Sequence, residues 1–159
     1  MRKQRVDSLN LSRQILKGGN SVRIPVVGSS MYPLFKKGDF IFIEPVDIKH
    51  VSVGDIIVCR RGRRMAAHRL IKICRDSGRK ILVTKGDTFS EFDEPVYSEN
   101  VLGRITAIER RGRHISINRG LYGVINIFCA KLSPFSKWIY PPLRRIKCGI
   151  NKIKNRYAV

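Results

Sequence analysis

Asp55-Ile56-Ile57-Val58-Cys59-Arg60-Arg61-Gly62-Arg63-Arg64-Met65-Ala66-Ala67-His68-Arg69-Leu70-Ile71-Lys72-Ile73-Cys74 is the segment on which the fold turns. Two runs of β-forming character, Asp55 to Arg60 and Met65 to Cys74, flank an arginine-rich turn, the pattern of a strand pair. The signal recurs at Val22 to Val27, Phe40 to Pro45, Lys80 to Thr84 and Val101 to Glu109, with a further piece near His114 to Ile117. Each run is bounded by Gly, Asp or Arg-Gly turns, so a mostly-β, hairpin-rich fold is expected. A short helix is expected before them. Asp7 or Ser8 can cap it, Leu9, Leu11, Ile15 and Leu16 give an apolar face, and Gly18-Gly19 ends it.

At 159 residues and 43% hydrophobic content the chain fits one domain with a modest core. Residues 1–20 read as an N-terminal helix or arm, 21–118 as the β domain and 119–159 as a basic tail. The four cysteines, Cys59, Cys74, Cys129 and Cys148, show no CxxC spacing, and two fall in strand-like segments. Buried free thiols are the simplest reading, and neither a metal nor a cofactor is expected.

Chemistry enters at Gly28-Ser29-Ser30-Met31-Tyr32-Pro33, which closes the apolar run Val22 to Val27. Glycine permits a tight turn, serine supplies a hydroxyl and proline fixes the exit, although small residues with proline also make ordinary turns. A nucleophilic serine needs a base. His50 and His114 read as loop and basic-turn residues, whereas His68 lies inside a strand-like segment. An acid that orients the imidazole completes the requirement. From Gly86 to Gly103 there are five acidic residues and no Lys or Arg, and Asp87 and Asp93 are the better candidates among them. Glu91, Glu94 and Glu99 read as loop residues.

The order Ser30-Met31-Tyr32-Pro33, Gly38-Asp39, Gly54-Asp55, His68-Arg69 and Lys85-Gly86-Asp87, with Asp93 six residues on, resembles the type I signal peptidases. The likeness is to the archaeal and endoplasmic-reticulum branch, where histidine replaces lysine as base. The same core is shared with LexA-type self-cleaving repressors. The resemblance covers roughly Ser21 to Arg110 and implies a catalytic β fold of that type. It further implies Ser30 as nucleophile, His68 as general base, Asp93 as third catalytic member and Asp87 as supporting aspartate. Gly28, Met31 and Tyr32 would contact substrate, with Met31 equally readable as packing under the turn. Many signal peptidases carry a serine hydroxyl two residues before the nucleophile as an oxyanion donor, and here that position is Gly28. The function expected is a serine endopeptidase cleaving a peptide or leader segment. The alternative is a catalytically inactive peptide-binding or membrane-surface module on the same core.

The net charge is +20, and from Arg104 onward thirteen lysines and arginines stand against the single acid Glu109. In that tail Ile146, Ile150 and Ile153 fall at helical spacing among cations, with aromatics at Trp138 and Tyr140. A partly helical tail lying on an anionic membrane surface fits this pattern. So does a basic tail whose apolar residues pack back on the β domain. Nucleic acid is disfavoured as a partner because the positive residues show no recognition helix or RNA-binding motif. The first twenty residues lack the apolar core of a secretory leader, and no apolar run reaches the ~20 residues that span a bilayer. The expected location is the cytoplasm, with peripheral attachment at the inner face of the membrane.

Overall fold

The computed structural model describes residues 2–62, 64–76 and 79–117. The tail expected at 119–159, with Cys129 and Cys148, lies outside them. The described chain is a helix, α1 (Arg2–Lys17), followed by β1 (Val22–Pro25), β2 (Phe40–Glu44), β3 (Ile56–Arg61), β4 (Arg64–Asp76), β5 (Arg79–Lys85), β6 (Val96–Tyr97), β7 (Val101–Arg110) and β8 (Arg113–Ser116). All pairings among these strands are antiparallel, in the order β1-β2-β7-β3-β4-β5-β6, with β8 also paired to β7. The mostly-β expectation therefore holds. No helix among the described residues is long and apolar enough to cross a membrane.

Helix α1 begins at Arg2, so Asp7 and Ser8 lie inside it and neither is its N-cap. Its end is as the sequence predicts. Gly19 adopts φ +84°, and the N–H groups of Gly19 and Asn20 donate to the carbonyls of Leu16 and Ile15 at 3.1 Å each. This 5→2 and 6→1 pair needs the left-handed conformation that glycine reaches without a Cβ penalty. The apolar face is narrower than predicted. Leu16 is buried and Ile15 packs on the same core, whereas Leu11 is 58% exposed.

Strand β3 shows why the domain has two cores. Its residues Ile56 to Cys59 are all buried, and alternate side chains leave on opposite faces of the sheet. Ile56 and Val58 join Leu16, Met31, Phe35, Ile43 and Ile105 in one cluster. Ile57 and Cys59 join Leu70, Leu82 and Val96 in the other. Strand β1 stops at Pro25, two residues short of the apolar run, and Val27 is exposed. Proline has no N–H for a ladder and is confined to such edges. Strand β6 is missed by the sequence reading because two residues after Pro95 carry no alternation. Its place is set by Val96 opposite Leu82.

Two Gly-Asp turns are stapled to β7. Asp39 is 3% exposed, accepts the Lys36 N–H at 2.8 Å and forms a two-point pair with Arg110 at 2.9 and 2.6 Å. Asp55 accepts the Ser52 N–H at 2.9 Å and meets Arg104 at 3.3 Å. Arg110 also donates to the Leu34 carbonyl at 2.8 Å, tying the turn that carries Ser30 to the end of β7. Its guanidinium and the Lys36 N–H hold the Asp39 carboxyl below its ordinary value, outweighing the opposing effect of burial.

Asp39→Asn should lower stability at pH 7 by about 2 kcal/mol in urea unfolding. This is below the ~3–5 kcal/mol of a fully buried pair, because the Arg110 side chain keeps 31% of its surface exposed. A depressed native value means the stabilisation is complete above the unfolded aspartate value near ~3.9. It is lost as pH falls through the native value, so the difference between the two proteins should shrink below about pH 4.

Candidate active site

Ser30 opens the turn that follows β1. The turn is closed by hydrogen bonds from the Tyr32 N–H to the Ser29 carbonyl at 3.1 Å and from the Phe35 N–H to the Met31 carbonyl at 3.0 Å. Met31 is 3% exposed and packs in the first core, so its side chain anchors the turn from below. Tyr32 is half-buried, and Gly28 is exposed with open space where a Cβ would stand.

The Ser30 carbonyl accepts two hydrogen bonds from one residue, the Thr88 N–H at 2.9 Å and the Thr88 hydroxyl at 3.1 Å. That clamp brings the loop after β5 against the serine, and Gly86 makes the approach possible. A Cβ on Gly86 would lie 3.0 Å from the Ser30 carbonyl oxygen, 3.1 Å from Ser30 Cβ and 2.9 Å from Phe89 Cδ2. The Phe89 ring in turn stands edge-on to the His68 imidazole with centroids 5.8 Å apart. No hydrogen bond joins Ser30 Oγ to His68 among the described residues.

His68 lies in β4 opposite Ile57 of β3, and its neighbour two residues on, Leu70, is opposite Thr84 of β5. Directly opposed residues share a face, as do residues two apart. His68, Thr84, Cys59 and Arg61 therefore project on one side of the ladder. Ile71 is skipped in the pairing between Leu70 and Lys72, a bulge two residues beyond Arg69. Such bulges gather beside functional sites.

The structure separates the two aspartates that the sequence left as alternatives. Asp93 Oδ2 is 2.5 Å from His68 Nδ1 and accepts the Thr84 hydroxyl at 2.7 Å. Asp87 instead forms a two-point pair with Arg69 at 2.8 and 2.7 Å, while Arg69 also donates to the Gly54 carbonyl at 3.2 Å. Asp93 thus orients the imidazole, and Asp87 fastens its loop to β4. Burial pushes the Asp93 carboxyl up, but the hydrogen bonds from His68 and Thr84 and the nearby Arg61 charge outweigh it and hold the group below its ordinary value. An ionised carboxylate only accepts. The shared proton is then donated by Nδ1, which leaves Nε2 as the acceptor on a neutral ring.

Around Asp93 a cleft of about 450 Å³ is lined by Phe89, Ser90, Glu91, Phe92 and Asp93. Phe89 and Phe92 are 49% and 51% exposed. Cys59 is buried on the same face of the ladder, and burial pushes its thiol up to about 12. It is a packing residue, as the sequence suggests. His50 and His114 are exposed, and His114 sits edge-on to Phe42. The sequence reading assigns no role to Thr84, Arg61, Arg69 or Phe89. Their partners are 9 to 33 residues away in the chain, beyond any local spacing rule.

Comparison with known proteins places the chain in a peptidase family. The family model for Peptidase S24-like proteins matches residues 2–106. The signal peptidase complex catalytic subunit SEC11 of Scheffersomyces stipitis is 32% identical over 87 residues, covering 54% of this chain and 52% of its own. SEC11C of Homo sapiens is 33% identical over 88 residues, covering 54% and 46%. SEC11 of Komagataella phaffii is 28% identical over 119 residues, covering 65% and 69%. The chain spans about half the length of the first two.

Asp87→Ala removes the carboxylate from the buried Arg69 guanidinium and should cost about 3 kcal/mol. Hydrogen exchange should show the loss first at residues 86–95, ahead of the α1 end of the fold.

Proposed function

We propose that this chain, which belongs to the Peptidase S24-like family, is a signal-peptidase-like serine endopeptidase that cleaves a peptide or leader segment through an acyl-enzyme on Ser30. The observation that carries the reading is the His68 Nδ1 to Asp93 Oδ2 contact of 2.5 Å, on a strand whose neighbouring loop also clamps Ser30. That contact leaves Nε2 as the ring's available base.

In this reading Nε2 takes the Ser30 hydroxyl proton as Oγ bonds to the scissile carbonyl carbon, and the imidazolium that forms is stabilised by the Asp93 charge. His68 then passes the proton to the departing amine as the C–N bond breaks. Water, activated by the same nitrogen, releases the acyl group. The Ser30 N–H holds the oxyanion. Gly28 leaves the second donor of many signal peptidases without a side chain in this position. Tyr32 and the exposed aromatics of the 89–93 cleft offer apolar contacts to the substrate, while the burial of Met31 favours its packing role.

A second reading, an inactive peptide-binding module, draws on the missing Ser30–His68 hydrogen bond. Comparative peptidomics of cells carrying the wild-type chain or Ser30→Ala distinguishes the two. The peptidase reading expects one or more peptides to persist uncleaved with Ser30→Ala and His68→Ala, and Asp93→Asn to lose about 10⁴ in kcat. Unchanged peptide profiles with Ser30→Ala would favour the binding module.

The open space at Gly28 gives a gain-of-function test. Gly28→Ser should fit without displacing a neighbour. If its hydroxyl reaches the oxyanion, kcat should rise with little change in KM, since such donors act on the transition state.

A further inference from the structure

Asp93 Oδ2 is the meeting point of three groups. His68 Nδ1 is at 2.5 Å, Thr84 Oγ1 at 2.7 Å and Arg61 Nη2 at 3.5 Å. The same Arg61 nitrogen lies 3.3 Å from Thr84 Oγ1 and 3.0 Å from the Glu94 carbonyl oxygen. Direction follows from donor chemistry. A guanidinium has donors and no acceptor, so Thr84 Oγ1 accepts from Arg61. The single hydroxyl proton of Thr84 is then turned toward Asp93.

The backbone closes the same unit, because the Asp93 N–H donates to the Thr84 carbonyl at 2.9 Å. Thr84 therefore holds Asp93 by main chain and side chain together, and it is only 1% exposed. The polar chain runs from the solvent-touching Arg61 through buried Thr84 to the carboxylate behind the imidazole. The Arg61 side chain keeps 27% of its surface exposed and that of Asp93 14%.

We infer that Thr84, held in orientation by Arg61, is a positioning residue for the Asp93–His68 pair, setting the carboxylate's rotamer and through it the imidazole's aim. The inference rests on the proposed peptidase reading for its consequence in catalysis and on the geometry above for its structural part. A triad works only when the base is correctly oriented, and a carboxylate with an unmet lone pair in a half-buried site is free to turn. Losing the hydroxyl should leave substrate binding intact and reduce the chemical step. A threonine that merely satisfied its own burial would leave the imidazole unaffected.

The test uses the full chain with Thr84→Val, Thr84→Ser and Arg61→Met. One readout is the His68 Nδ1–H resonance in proton–nitrogen NMR, assigned by its loss in His68→Gln. The other is kcat and KM on an internally quenched peptide with alanine before the scissile bond. Thr84→Val should shift or broaden the resonance and lower kcat about ten-fold with KM within two-fold, and Thr84→Ser should restore both. Arg61→Met frees the hydroxyl to rotate and should lower kcat about three-fold with the same broadening. Should Thr84→Val fail to fold, Arg61→Met decides. An unchanged resonance and unchanged kcat in the folded variants, with Ser30→Ala inactive, would overturn this inference alone. Cleavage persisting in Ser30→Ala would instead overturn the peptidase reading, and the resonance would still decide the role of Thr84.

Discussion

The register of the β3–β4–β5 ladder is the constraint on which the rest depends. Ile57 faces His68, and Leu70 faces Thr84. These pairings put a histidine, a threonine and an arginine on one face, while Ile56 and Val58 serve the core on the other. Side chains alternate with a period of two, so a one-residue slip would turn every one of them to the opposite face. The register is enforced by hydrophobic burial: Ile57, Leu70 and Leu82 are fully enclosed only as paired. The candidate site thus inherits from packing the face on which its side chains stand, and the polar contacts around Asp93 act within that frame.

Polar contacts take over where the ladder ends. The chain has 12 acidic residues against 32 lysines and arginines, and four of its described aspartates act as fasteners. Asp39 meets Arg110, Asp55 meets Arg104 and Asp87 meets Arg69, each joining a loop or turn to a strand. A charge held away from water needs a partner and hydrogen bonds to be tolerable there, and these pairs supply both. Asp93 is the one whose nearest cation-capable partner is an imidazole, the group that can carry a proton. The loop from Gly86 to Pro95 is therefore fastened at one end by Asp87 and at the other by Asp93, with Thr88 reaching from it to the serine.

Among the described residues, seven of the eight strands follow from period and turn residues, because half-buried antiparallel strands advertise themselves locally. Strand β6 does not, since two residues cannot establish a period. The helix end is readable at Gly18-Gly19, where the stop is a backbone requirement, whereas the expected caps Asp7 and Ser8 lie inside the helix. Within the site, Ser30, His68 and the aspartate pair stand out by residue type and order. The choice between Asp87 and Asp93 does not, because it depends on which strand face each loop end meets.

The amino-acid sequence by itself determined the element types, the turn that carries Ser30 and the short list of titratable groups, all of which are expressed within a few neighbouring residues. Tertiary structure alone decided that Asp93 serves His68 and Asp87 serves Arg69. It also placed Met31 in the core, and Thr84 and Arg61 behind the imidazole. The physical reason is distance along the chain. These partners lie between 9 and 32 residues apart, and only the pairing of strands and the burial of two apolar faces bring them within hydrogen-bond reach.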